Sequence, residues 1–300
     1  MKLHENKELF KNAIDYVVQT NYYSTEIVIK DYYVSLALKM LYSKFDNLVF
    51  IGGTSLSKCF NIINRFSEDI NLAATGPSRK SKQKVTENVV DYFISNWQYE
   101  VSYEKRRVAS DFKPLHLEYP NDYPGMLSNQ VRLELIAFVD PFPNISVEIT
   151  PLVNEILEED EIIQYDMLPF SVKTQEPYRT FIEKILLQKE IYKDYLNGIL
   201  APESSKKRAR DFYDIHKIWE YYNREFPLTD IDKFIELRKN NRKNKTSINA
   251  AEFNEFSLFE QYNQQEIFKQ LDIDKSKLSI RDLNTKDIAN SLFQIDAYFK

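Results

Sequence analysis

The stretch "FIGGTSLSKCFNIINRFSEDINLAA", Phe50–Ala74, holds two of the chain's five glycines side by side. It also carries a carboxylate, Asp69, at the head of an apolar run, with an amide, Asn71, two residues later. "NLVFIGG" reads as a short buried strand stopped by glycines, "TSLSKCFNII" as a helix and "DINLAA" as a second strand. A strand passing through Gly52 and Gly53 into a helix exposes backbone N–H groups at the helix start, where the dipole favours an anion, phosphate above all. Glycine lets the backbone approach phosphate closely, and Thr54 and Ser55 add hydroxyl donors. A tight strand-to-helix turn without a ligand would ask for the same glycines.

The second strand shifts that balance. Strand side chains alternate with period two, so Asp69 and Asn71 share one face. Two oxygen ligands at that spacing, ideally both carboxylates, can hold a hard cation such as Mg²⁺ near a phosphate. An acid on a neighbouring strand would complete the set. Glu134 in "VRLELIAF" and Glu148 in "ISVEITP" both lie on expected strands, although a lone acid in a strand commonly just faces solvent.

Around this centre the chain divides in two. Apolar positions at helical spacing mark helices over 5–18 and 25–44, the second with Ser24 or Thr25 as its cap. A basic helix over about 80–96 ends at Trp97, followed by strands near 99–108, "PLHLEY", "VRLELIAF" and "NISVEITP". After "SVKTQEP" the character changes. "YRTFIEKILLQKEIYKDYL", "KKRARDFYDIHKIWEYY", a run near 230–240 and at least two later segments all read as helices. The expected fold is α+β: a mixed-sheet domain over 1–175 and an all-helical domain over 176–300.

Composition narrows the function classes. With 43% hydrophobic and 28% charged residues, the chain can bury a full core without staples. One cysteine excludes a disulfide framework or a cysteine-rich zinc site, and three scattered histidines argue against a histidine metal centre. No apolar run approaches the ~18 residues of a membrane span, and the charged N-terminus lacks a signal-peptide core. The expectation is a cytoplasmic monomer. The net charge of −5 argues against a general cationic coat, but "SRKSKQK" (78–84), "EKRR" (104–107), "KKRAR" (206–210) and "RKNNRKNK" (238–245) are basic segments that could meet a polyanion.

"GGTSLSK…RFSEDINL" resembles the paired motif of the AbiEii-type nucleotidyltransferases, toxins of type IV toxin–antitoxin and abortive-infection systems within the DNA polymerase β-like superfamily. Two later stretches agree in order and spacing. "PYRTFIEKILL" resembles the family's lysine motif, at Lys184. "KKRARDFYDIHKI" resembles its Arg-Asp-x-Tyr-Asp motif, at Arg210, Asp211, Tyr213 and Asp214. The resemblance implies that Gly52, Gly53, Thr54 and Ser55 cradle the triphosphate of an NTP, and that Asp69, Asn71 and Glu134 ligate Mg²⁺. It gives Lys184 and Arg210 the task of neutralising phosphate charge. Asp211 and Asp214, helical neighbours, would orient Lys184 or approach the acceptor hydroxyl. It further implies transfer of NMP to an RNA, in some relatives the tRNA 3′ end, which blocks translation, together with a cognate antitoxin. Segments 78–84 and 238–245 would suit RNA phosphates.

The family pattern is Asp-x-Asp, whereas this chain has Asp-x-Asn. Three readings stand: an enzyme of reduced metal affinity, a nucleotide- or RNA-binding protein without catalysis, or an inactivated variant. Outside the resemblance, Lys184 would be an ordinary surface helix residue, and Asp214 would pair with Lys217 at helical spacing.

Overall fold

The computed structural model describes all residues except 1, 22, 66, 68, 104–110, 121–127, 202–205, 207, 227–229, 242–246, 278–279 and 281. The chain forms two units. The first comprises Met1–Cys59 and Glu68–Gln175, and the second comprises Phe60–Ser67 and Glu176–Lys300. The architecture is α+β, with a mixed seven-stranded sheet and a helical C-terminal region.

The sheet strands are β1 (Leu48–Ile51), β2 (Asp69–Ala74), β3 (Val101–Tyr103), β4 (Phe112–Glu118), β5 (Gln130–Ile136), β6 (Asn144–Ile149) and β7 (Phe170–Gln175). Their spatial order is β3-β4-β5-β2-β1-β7-β6. β2 pairs antiparallel with β1 and parallel with β5, which centres the Asp69 strand in the sheet. Ile70, Leu72, Leu115, Leu117, Leu133 and Leu135 join one hydrophobic core with Val28, Leu38 and Leu41 of the helix Thr25–Tyr42 and Val89 and Phe93 of the helix Arg79–Asn96. Alternation therefore sends Asp69, Asn71, Arg132 and Glu134 to the opposite face. Ser24 caps the helix Thr25–Tyr42, its hydroxyl accepting from the Ile27 N–H.

Two local expectations change. The helix after the glycines runs only Gly53–Lys58, with Cys59 as its cap and Asn61 at φ 51°. The apolar pair Ile62-Ile63, which reads as its continuation, is buried in the second unit instead. β7 was not expected. Its sequence "FSVKTQ" is largely polar, yet Thr174 is buried and its hydroxyl donates to the Phe50 carbonyl across the parallel β1–β7 pair (3.0 Å). A satisfied hydroxyl can occupy a core position that periodicity reserves for an apolar group.

In the second unit the helices Pro177–Leu196, Arg210–Tyr221 and Thr285–Tyr298 bury Phe181, Ile182, Ile185, Phe212, Ile215, Ile218, Leu292 and Ile295. Phe226 stacks on Phe181 and Trp219, at 4.2 and 5.2 Å between ring centroids. Among the described residues no helix is long and apolar enough to cross a membrane.

Candidate active site

In the sheet unit β1 ends at Gly52, which has φ 85° and ψ −161° and caps the helix Gly53–Lys58. That conformation is essentially restricted to glycine. A Cβ there would also lie 3.4 Å from the Asn71 side-chain nitrogen, so the glycine turn sits directly against the Asp-x-Asn strand. Ile51 and Asn71 are register partners. The two hydroxyls serve the turn itself: Thr54 Oγ1 donates to the Asp69 carbonyl (2.6 Å), and Ser55 Oγ donates to the Gly52 carbonyl (2.8 Å). The sequence offered them as phosphate donors, but in this state both hydroxyls are spent on backbone. The first-turn backbone N–H groups have no intrahelical partner. Lys58, at the helix end, is tied to Asp31 (2.5 Å), whose other oxygen accepts the Leu152 N–H (3.0 Å).

Beyond Asn71 lies Glu134, its register partner on β5, and Asp69 is in register with Arg132. Arg132 and Glu134 form an ion pair at 2.9 Å. Asp69, Asn71 and Glu134 thus present two carboxylates and one amide oxygen on one sheet face, a hard donor set whose chemistry fits a single Mg²⁺-like cation. Among the described residues no cluster of three or more acidic, histidine or cysteine side chains could hold a metal. Glu148 stands on β6, exposed, with β7 and β1 intervening before β2.

The remaining candidates lie in the helical unit. Lys184 is no ordinary surface lysine, since its side chain is 13% exposed and its ammonium contacts Asp211 (2.5 Å) and Asp214 (2.9 Å). Gln188 donates to the second Asp211 oxygen (3.2 Å). Asp214 does not pair with Lys217, which instead binds Glu220 and Asp282. Its partner is Arg65, bound through Nε at 2.6 Å and through a second nitrogen at 2.7 Å. Burial alone would raise the Asp214 carboxyl, but Arg65 and Lys184 overcome it and hold it at about 2. Burial likewise disfavours the charged Lys184, and the two aspartates reverse that and raise it. Arg210 is exposed at the start of its helix.

No periodicity or motif in the sequence marks Arg65; its one signal is that it is the single basic residue between Lys58 and Arg79. The basic segments fare unevenly. Arg79 pairs with Asp111, and Lys82 donates to the Val139 carbonyl (3.3 Å). Arg238 is no phosphate contact; it is buried and binds Glu190 (2.7 and 2.9 Å) and Glu183. Residues 104–107, 207 and 242–245 of these segments lie outside the described residues.

The chain thus sets a glycine turn against a central Asp-x-Asn strand, on a mixed sheet followed by helices. The family described as nucleotidyl transferase AbiEii toxin, type IV toxin–antitoxin system, matches residues 37–288, and the chain belongs to that family. Among solved structures it is similar to MenT4, a nucleotidyltransferase toxin from Mycobacterium tuberculosis H37Rv. That match has 15% identity and a TM-score of 0.46, covering 91% of this chain and 76% of that one. No curated protein matches the sequence.

Proposed function

We propose that this nucleotidyltransferase toxin is metal-dependent and transfers NMP from an NTP to an RNA hydroxyl, with the tRNA 3′ end as acceptor. Translation is then blocked, giving abortive infection, and a cognate antitoxin restrains the toxin. The observation that supports this reading most is the packing of Gly52 on Asn71, with Glu134 next in register and Asp69 on the same face. Backbone N–H groups after Gly52 bind phosphate oxygens. Asp69 and Glu134, with the Asn71 amide oxygen, would hold Mg²⁺, which when bound supplies charge neutralisation at the phosphoryl oxygens. In the helical unit Lys184 and Arg210 supply positive charge for phosphate. Asp214, wholly buried and bound by two cations, suits orienting Lys184 rather than accepting a proton. In the reaction the RNA hydroxyl oxygen attacks the α-phosphorus and gives its proton to water, a new P–O bond forms, the α–β bridge breaks and pyrophosphate leaves with its electron pair.

The test combines purified protein, Mg²⁺, each α-labelled NTP and total tRNA. Labelled tRNA is expected on a denaturing gel, with the signal lost in Asp69→Ala. The neutral Asn71 supports a second reading, a nucleotide- or RNA-binding module without catalysis. NTP binding by calorimetry, with no incorporation until Asn71→Asp, would establish that module instead.

A further inference from the structure

On the sheet face that carries Asp69, one row of register partners runs His116 on β4, Arg132 on β5 and Asp69 on β2. The next row runs Pro114, Glu134 and Asn71. Two nitrogens in the first row, Arg132 Nε and His116 Nδ1, are buried and without a hydrogen-bond partner. Unpaired buried donors and acceptors are uncommon and call for an explanation. Arg132 has one ion-pair partner among the described residues, Glu134 on its own strand at 2.9 Å, and its side chain is 42% exposed. Ion pairs this open contribute little and exchange readily.

Charge gives the row a direction. Because Asn71 is neutral, these two rows carry the carboxylates of Asp69 and Glu134 and the guanidinium of Arg132. A polyphosphate arriving there meets repulsion unless Glu134 is occupied. Guanidinium matches phosphate as well as it matches carboxylate, through paired N–H donors.

We propose that Arg132 is a substrate-binding residue: its guanidinium exchanges Glu134 for a phosphate oxygen of the NTP. The inference rests on the nucleotidyltransferase reading above and adds to it a phosphate ligand on β5. One exchange does two things. It places positive charge on the polyphosphate beside Asp69, and it takes the guanidinium off the Glu134 carboxylate, which would face the cation. Arg132 and Glu134 are therefore a latch that NTP and metal open together, which compensates at this face for the missing charge at Asn71.

The proposal is tested by binding. A fluorescent NTP analogue with a non-cleavable α–β bridge is titrated in EDTA and in Mg²⁺, with inorganic tripolyphosphate as competitor. The wild-type chain is expected to bind in EDTA, and tripolyphosphate is expected to displace the analogue. Arg132→Met should weaken that metal-free binding at least tenfold, and Arg132→Lys only about threefold, since lysine keeps the charge without the fork. Glu134→Gln should tighten metal-free binding several-fold by removing the competing carboxylate, while reducing the gain on adding Mg²⁺. Circular dichroism melts establish that each variant is folded, and Arg132→Lys carries the test if Arg132→Met is not. Unchanged metal-free affinity in folded Arg132→Met, or in Arg132→Lys together with Glu134→Gln, overturns the proposal. If Asp69→Ala still abolishes Mg²⁺-dependent binding in that case, the nucleotidyltransferase reading stands without it. A wild-type chain that binds no analogue in either condition sinks both.

Discussion

Replacing Arg65 by methionine should cost the helical unit about 3–5 kcal/mol, the range for leaving a buried charge without its partner. The figure follows from how the charges are shared. The Asp214 side chain is 0% exposed and Arg65 2%, joined through two short hydrogen bonds. Lys184 contacts Asp214 at 2.9 Å but also serves Asp211 at 2.5 Å. Without Arg65, Asp214, fully removed from water, would be left to the Lys184 ammonium that it shares with Asp211. The double variant Arg65→Met/Asp214→Asn removes the orphaned charge and should return to within about 1–2 kcal/mol of wild type, because neutral replacement of a buried pair is commonly close to neutral in energy. Urea unfolding followed by tryptophan fluorescence reads this in a Trp97→Phe background, where Trp219 of the helical unit is the sole reporter. A loss below about 1 kcal/mol in Arg65→Met, the value of a solvated surface pair, would refute the reasoning. So would a double variant as unstable as the single one. Acid provides an independent check. Asp214 titrates at about 2 in the folded chain, below the ordinary 3.8, so its contribution is complete above pH ~4 and is lost as pH falls toward 2. That acid limb should flatten in Arg65→Met.

Three further outcomes are expected. Burial lowers Lys189 to about 8, against an ordinary 10.5, while its ammonium donates to the Phe253 and Phe256 carbonyls. The cost of charging it is present below pH ~8 and relieved above, so thermal stability should gain an increment between pH 8 and 10 that vanishes in Lys189→Met. Gly52→Ala forces a side chain into a glycine-only conformation against Asn71, and denaturant titration should show a loss of about 1–3 kcal/mol. An unchanged midpoint would mean that the turn relaxes freely. Asn71→Asp sets a carboxylate beside Glu134, so the variant should melt lower than wild type in EDTA. It should bind Mn²⁺ at least tenfold more tightly by electron paramagnetic resonance titration.

What the sequence made legible follows from what local pattern encodes. The strand "DINLAA", the face shared by Asp69 and Asn71, and the glycine turn beside them all depend on alternation and on one residue type with special backbone freedom. Those features survive without knowledge of neighbours. Choosing between Glu134 and Glu148 needed strand order, which alternation does not carry; the order puts Glu134 beside Asn71 and Glu148 on an edge strand. β7 escaped notice because its core-facing Thr174 is polar and is satisfied only by a partner 124 residues away. Ile62 and Ile63 misled for the opposite reason. They are apolar at helical spacing, but the core they enter belongs to the helical unit. Arg65 and Arg238 look like surface cations in the sequence and become buried ones only because acids from distant helices close on them.

The amide at position 71 takes its meaning from the residues around it. Its neighbours on one side are Gly52, which packs against its side chain, and on the other Glu134, already paired with Arg132. A carboxylate at 71 would stand in register with Glu134, and the two like charges would repel until a cation arrived. The amide removes that repulsion, so the face holds together with no metal bound, at the cost of weaker cation affinity. In the proposed site Glu134 would be the carboxylate ligand beside Asp69, and displacing Arg132 from it would be one step in opening that site. On the proposal above, a phosphate is the group that does so, and nucleotide arrival would then be the event that arms the cation site.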